Sequence, residues 1–354
     1  MTATDPGERA GLLEVDLGAI VGNWQSLCER HVDGAVAAVV KADAYGLGAG
    51  PVAKALAAAS CWYFFVAHLS EGIALRRVLS HGPMIAVLGG FAPGADQGAA
   101  LTPVLNTPQD VAAHRAAGTT GAILHLDTGM ERLGLDAAGL AGVGDLSGLG
   151  LRYVMTHLAC ADEPDHPLNA EQARRFAAGC AALPGVPRSF ANSAGLFLGE
   201  DFASDLARPG CALYGINPTP GRPNPMRQAV RLTAPVLQVR EVPEGATVGY
   251  GASWRAPRPS RIATVAVGYA DGYPRSLSGQ AIGSLDGHPV PLVGRVSMDL
   301  ATFDVTGLDV APGDRIELIG AAQTPDDVAA RAGTIGYEIL TALGARYQRR
   351  YIPA

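Results

Sequence analysis

Up to about residue 215 the chain alternates short apolar runs with Ala-rich stretches of helical pattern, eight times over. The runs are VAAVV (36–40), YFFVAH (63–68), MIAVL (84–88), TPVL (102–105), AILHLD (122–127), RYVMTH (152–157), a weak SFAN (189–192) and CALYG (211–215). Stretches such as NAEQARRFAAGCAAL (169–183) separate them. Strands that read as continuous apolar runs suit a parallel sheet covered on both faces. Eight βα units of this kind predict an α/β fold, an N-terminal (β/α)8 TIM barrel. A doubly wound open sheet is the rival that the pattern alone leaves open.

The character then changes. GINPTPGRPNP (215–225) reads as a connection, and the segments beyond it are strand-like, joined by Gly, Pro and Asp turns such as LDGHP. The expected domains are a barrel over residues 1–232 and a mainly-β domain over 233–354. TPDDVAARAG adds one helix there, with Thr324 as N-cap and Asp326 and Asp327 in its first turn.

Composition excludes several classes. A net charge of −6 and a pI near 5.7 argue against a nucleic-acid partner. No apolar run approaches the roughly 18 residues of a membrane span. The opening MTATDPGERAG has no basic and apolar leader pattern, so no secretory signal is expected. The five cysteines, Cys28, Cys61, Cys160, Cys180 and Cys211, are widely spaced and form no C-x-x-C. They suit reduced thiols in a cytoplasm, and no metal site is expected.

In such a barrel the chemistry sits at the C-terminal strand ends. There the sequence places Lys41, His68, His125 and Asp127 with Arg132 just beyond, His157, Asn192-Ser193, and Arg208-Pro209-Gly210 leading into the eighth run. A lysine leaving an apolar run is desolvated, which lowers its pKa and makes it a nucleophilic amine whose natural product is a Schiff base. The Ser193 hydroxyl and the N–H groups of Gly210 and Cys211 suit a phosphate. Lysine plus phosphate pocket points to pyridoxal phosphate. Plainer readings stand beside each residue: a solvated lysine, core histidines, an Asp127 that holds the turn DTGM, an ion-paired Arg208, and Tyr250 and Tyr269 as ordinary strand aromatics. Only agreement among the motifs outweighs them.

The motifs VVKADAYGLG, DTGMERLG, MTHLACADE, FANSAG, ARPGCALYG, VGYGASW, VGYADGYPR, VGRVSMD and TIGYEIL do agree. In order, and over nearly the whole chain, they resemble those of bacterial alanine racemases. The resemblance implies a fold-type III pyridoxal-phosphate enzyme, acting on a small amino acid as a head-to-tail homodimer with shared active sites. Lys41 would be the Schiff-base lysine and the base on one face of Cα. Tyr250 of the partner subunit would be the opposing base. Tyr45 would lie near the cofactor phosphate, which Ser193, Gly210, Cys211 and Tyr337 would hold. His157 would bridge Tyr250 and Arg208, and Arg208 would bond the pyridine nitrogen. Arg132 would contact the substrate carboxylate, Met298 would offer it a backbone N–H with Asp299 beside, and Tyr269 and Arg295 would line the access channel. An ordinary tyrosine has a pKa near 10, so Tyr250 needs nearby positive charge, which His157 and Arg208 would supply. The glycines after Lys41 would let the backbone turn tightly beneath the cofactor.

Four positions depart from the family's usual pattern: Leu47 and Ser189 stand where histidine is usual, and Ser297 where cysteine is usual. His125 stands where a lysine, often carbamylated, normally orients the arginine that matches Arg132. This predicts no carbamate, and a pH or chloride dependence near the histidine pKa. D-Alanine supply for peptidoglycan is the expected role. The alternative on the same fold is a broad-specificity or serine/basic amino-acid racemase. A decarboxylase or a single-barrel cofactor carrier fits less well, because neither needs Tyr250.

Overall fold

The computed structural model describes residues 10–354 apart from Gln97. The opening nine residues, read above for a leader, lie outside the described residues. The chain separates into two compact units, Gly18–Arg227 and a second built from residues 10–17 with Gln228–Ala354.

In the first unit nine short parallel segments pair in one continuous path. Its two ends are Ala35–Val36, paired to Leu206–Ala207, and Ala38–Val39, paired to Tyr63–Val66. Only Ala37 separates those ends, so the path closes into an eight-stranded barrel whose first strand is split. The remaining strands are Met84–Val87, Thr102–Leu105, Ile123–His125, Tyr153–Met155 and Arg188–Ser189. Phe64, Phe65, Ile85, Val104, Ile123, Leu124 and Val154 are all fully buried. That is what continuous apolar strands do when helices cover one face and side chains fill the other. Each such burial stabilises by about 1.5–3 kcal/mol, and Phe64→Ala would cost about 3–5 kcal/mol.

The eighth strand differs from expectation. The apolar run 211–215 predicts a strand, but Cys211–Tyr214 is a single helical turn and the strand is Leu206–Ala207. Pro209 has no N–H to continue a ladder. Arg208 therefore lies just past the end of the strand instead of leading into it.

The second unit is an eight-stranded sheet. Its spine is the thirteen-residue strand Val230–Val242. Leu12–Asp16, Ser260–Val265 and Arg315–Ile319 all pair antiparallel to it. Leu12–Asp16 also runs parallel to Gln348–Ile352. The division expected at residue 232 put LEVD with the barrel, whereas here that strand belongs to the β unit. Glu14 explains its hold. This buried carboxylate accepts from Arg231 (3.0 Å) and from Arg350. Burial pushes Glu14 up, and the two guanidinium groups outweigh it and hold the carboxyl below its ordinary value. The helix Pro325–Ala332 starts as the sequence implies, with Thr324 Oγ1 accepting from the Asp327 N–H. No helix among the described residues is long and apolar enough to cross a membrane.

Candidate active site

Lys41 stands one residue, Val40, past the end of the first barrel strand, and the chain then does something L-residues rarely do. Ala42, Asp43, Ala44 and Tyr45 are all left-handed, with φ of 52°, 53°, 54° and 56°. Each such residue costs about 1–2 kcal/mol, so local bonds must hold the turn. The Ala44 N–H donates to Val40 O (2.9 Å), Gly46 to Ala42 O (2.8 Å) and Gly48 to Asp43 O (2.8 Å). Asp43 Oδ1 accepts from the Ala49 N–H (2.7 Å), and Glu71 Oε1 accepts from the Ala42 N–H (2.7 Å). The sequence predicts that the glycines after Lys41 make the tight turn. Gly46 and Gly48 do have positive φ, but four non-glycine residues make the turn itself. Leu47, where histidine is usual, is fully buried beside it.

The turn delivers Tyr45 to the eighth-strand loop. The Tyr45 ring lies 4.8 Å from that of Tyr214, whose hydroxyl donates to Val39 O (2.9 Å). A Cβ on Gly210 would overlap the Tyr45 hydroxyl, so only glycine permits this approach. Ser193 Oγ accepts from the Gly210 N–H (2.9 Å) and the Ala212 N–H (3.3 Å). Gly210 was expected to aim its N–H at a phosphate. Here that N–H donates to Ser193 Oγ. Cys211 is buried next to them.

Arg208 is buried and bonded on several sides. It donates to Ser189 Oγ (2.6 Å), Thr156 O (2.5 Å) and Phe190 O (3.5 Å), and Ser189 Oγ donates on to Leu206 O (2.7 Å). Ser189, one of the four departures, therefore orients the guanidinium. The resemblance implies that His157 bridges Tyr250 and Arg208, and none of these Arg208 bonds goes to the His157 ring. Burial lowers Arg208 to about 10, which leaves it protonated at neutral pH. Burial, with Arg208, Arg132 and Lys41 nearby, pushes His157 down to about 3. His157 is neutral at pH 7 and carries no positive charge of its own.

His125 is also buried. Its Nδ1 lies 2.8 Å from Asn106 Oδ1. Asn106 Nδ2 donates to Leu88 O (2.9 Å) and Val104 O (3.2 Å), so Oδ1 is the face turned to the ring. An amide oxygen only accepts, so Nδ1 carries the proton and Nε2 is a bare acceptor. Burial, then Arg208, with a smaller push from Arg132, lowers His125 to about 4. Any titration of this residue belongs near pH 4, not near the ordinary histidine value expected above.

Asp127 has the plainer of its two roles. Its Oδ1 accepts from the N–H groups of Gly129 (2.8 Å), Met130 (2.9 Å) and Glu131 (3.3 Å), pinning the loop that carries Arg132. Lys41 is pushed below its ordinary value by burial and by Arg132, with Glu71 acting the other way. Sequence reasoning missed Asn106, Glu71 and Gln172. Gln172 is fully buried and ties Thr128 (3.1 Å), His157 O (2.9 Å) and the Ala159 N–H (2.9 Å) together behind the rim. Asn106 alone had a signal, since it ends the fourth run. His68 contributes its backbone N–H to Glu71 (2.9 Å). A cavity of about 1260 Å³ lies behind the loop that Asp127 pins, against Leu135, Leu140 and Leu183, and of the residues expected at the rim only Asp127 lines it.

The β unit gathers the rest on its own surface. Tyr250 is 72% exposed, Met298 53% and Tyr269 44%. Ser297 closes the turn that presents Met298 and Asp299, its hydroxyl donating to Leu300 O (2.7 Å) and accepting from the Leu300 N–H (3.1 Å). The Tyr269 N–H donates to Ser297 O (3.0 Å), and the Arg295 guanidinium lies against Gly251, next to Tyr250. Arg346 bridges Asp299 (2.9 Å) and Asp271 (3.1 Å). Tyr337 is exposed on the helix Gly336–Ala342.

Comparison with known proteins agrees with this geometry. Residues 15–218 match the model of the alanine racemase N-terminal domain and residues 229–351 that of the alanine racemase C-terminal domain. The chain is 56% identical to an alanine racemase of Acidiphilium cryptum, over 95% of this chain and 97% of that one. It is 46% identical to a catabolic alanine racemase of Agrobacterium fabrum, over 98% and 93% of the two chains. It is similar in structure to the alanine racemase of Bartonella henselae, crystallised with covalently bound pyridoxal phosphate. The TM-score is 0.91 at 41% identity, covering 97% of this chain and 99% of that one. The chain belongs to the alanine racemase family.

Proposed function

We propose that this pyridoxal-phosphate-dependent enzyme interconverts L- and D-alanine with two bases, Lys41 on one face of Cα and Tyr250 of the partner subunit on the other. The observation that carries the reading is the state of the lysines. The chain has two, Lys41 and Lys54. Lys54 is exposed on the helix Ala49–Ala58. Lys41 stands at the barrel rim with its pKa lowered by burial and Arg132, which is what a nucleophilic amine needs.

The residues fit the cofactor. The bare Cα of Gly210 brings the Tyr45 hydroxyl, the Ser193 hydroxyl and the Cys211 turn together, and with Tyr337 these would hold the phosphate. When bound, pyridoxal phosphate supplies the electron sink that makes the Cα–H acidic. Arg208, permanently protonated, would face the ring nitrogen and keep a proton off it. Arg132 would hold the alanine carboxylate, and the neutral Nε2 of His125 would accept from Arg132, doing without a carbamate. Lys41 and Tyr250 would each hold or release one proton at Cα. Met298 would add its N–H to the carboxylate, with Asp299 beside it, and Tyr269 and Arg295 would line the way in.

A homodimer with shared active sites is part of the same reading. The exposure of Tyr250, Met298 and Tyr269 supports it, since such side chains in water suit a partner surface. That none of the five cysteines forms a disulfide supports a cytoplasmic setting. D-Alanine supply for peptidoglycan is the proposed role. The name of the Agrobacterium relative favours breakdown of D-alanine as a second reading, and D-alanine auxotrophy on gene deletion separates the two. Sharing is tested by mixing. Lys41→Ala and Tyr250→Phe are each expected to be inactive, and exchanging their subunits should restore activity in mixed dimers. Two inactive variants that stay inactive after exchange would rule sharing out.

A further inference from the structure

Resting on the assignment of Lys41 as the amine that bonds the cofactor, we propose that Glu71 is a positioning residue that fixes Lys41 by clamping the peptide group after it. Glu71 lies in the first turn of the helix Leu69–Leu79, and its Oε2 accepts from the N–H groups of Ala67 (2.8 Å) and His68 (2.9 Å). That half is ordinary helix capping. The other half is not. Oε1 reaches across to the preceding strand end and accepts from the Ala42 N–H (2.7 Å). This N–H belongs to the peptide joining Lys41 to Ala42, so Lys41 Cα cannot move without stretching a charge-assisted bond.

The clamp sits where the backbone most needs one. Ala42 is the first of four left-handed residues. Such a run persists only when its surroundings over-determine it. Glu71 also brings negative charge to a rim where Arg132 and His157 face Lys41 from the fifth and sixth strand ends. Position and charge are therefore supplied by one carboxylate, and substitution can separate them. Glu71→Gln loses the charge and keeps one acceptor oxygen, which can serve Ala42 or the cap N–H groups but not both. Glu71→Ala loses both.

The test uses pyridoxal phosphate as probe on enzyme stripped of cofactor. Borohydride reduction traps the adduct, mass spectrometry maps it, and the trapping rate is followed against pH. In the wild type the adduct should map to Lys41. Glu71→Gln should shift the midpoint of the pH dependence down by about one unit, as loss of a nearby opposite charge does. Glu71→Ala should in addition slow trapping severalfold and speed amide exchange at Ala42. Wild-type midpoint and rate in both variants, with the adduct on Lys41, would overturn the clamp while leaving the lysine assignment intact. An adduct on Lys54 would instead overturn the lysine assignment. Should Glu71→Ala fail to fold, hydrogen exchange on the wild type decides. The Ala42 N–H should be strongly protected, and free-peptide exchange there sinks the clamp.

Discussion

His125 Nδ1 lies 2.8 Å from Asn106 Oδ1, and that contact leaves Nε2 as the unprotonated ring nitrogen. Asn106→Leu removes the acceptor and leaves a buried N–H unpaired, at a cost of about 1–3 kcal/mol. The tautomer is then free to flip, and Nε2 no longer offers a fixed lone pair. If Nε2 orients Arg132 on the alanine carboxylate as proposed, the expected outcome is a raised KM for alanine with a smaller change in kcat. Steady-state kinetics with both enantiomers checks it, and an unchanged KM contradicts it.

The Tyr250→Phe variant should keep the cofactor's absorbance and lose racemisation by about 10²–10⁴-fold, the usual scale for one general base. It should still exchange the Cα proton of one alanine enantiomer with deuterated solvent, through Lys41. Equal loss of exchange from both enantiomers would contradict separate faces for the two bases.

The Gly210→Ala variant places a methyl group on the Tyr45 hydroxyl. Overpacking of this kind costs about 1–3 kcal/mol, and cofactor affinity should fall with it. Tyr45→Phe in the same chain should recover part of the affinity, since the clashing oxygen is gone. Cofactor titration of the single and double variants measures the coupling. Additive losses would mean that the two residues do not meet.

Acid should destabilise the fold early. His125 and His157 have pKa values of about 4 and about 3 in the folded chain, against an ordinary 6.5. Below pH 6.5 the unfolded chain binds protons that the folded one does not, so stability falls as pH drops from 6.5 toward 4. Glu14 adds a later loss. Its lowered pKa stabilises the fold above the ordinary carboxylate value, and that part is lost as pH falls through the folded value. Urea midpoints at pH 7.5 and pH 5 check the histidine part, and His125→Asn should flatten the slope. Equal midpoints would show that the imidazoles are not buried neutral.

Much of this was legible in the sequence because barrel strands are written as apolar runs and the polar residue ending each run marks the rim. Lys41, His125, His157 and Ser193 stood out in that way. The eighth strand was misplaced because Leu206–Ala207 is too short to register, while CALYG is apolar for another reason: Tyr214 packs on Tyr45. LEVD was assigned to the barrel because sequence order hides a strand whose partners, 230–233 and 348–352, lie over two hundred residues away. Glu71 and Gln172 were invisible for a different reason. Each sits in a helix whose pattern it suits, and its role appears only when the loops it joins are brought together.

Chiral analysis of single L-amino acids incubated with the purified enzyme and pyridoxal phosphate, run beside Lys41→Ala, tests the central claim most directly. Alanine should be converted to its D-isomer far ahead of serine, lysine and arginine, and Lys41→Ala should convert nothing. Comparable turnover of several amino acids, or full activity in Lys41→Ala, would contradict the account.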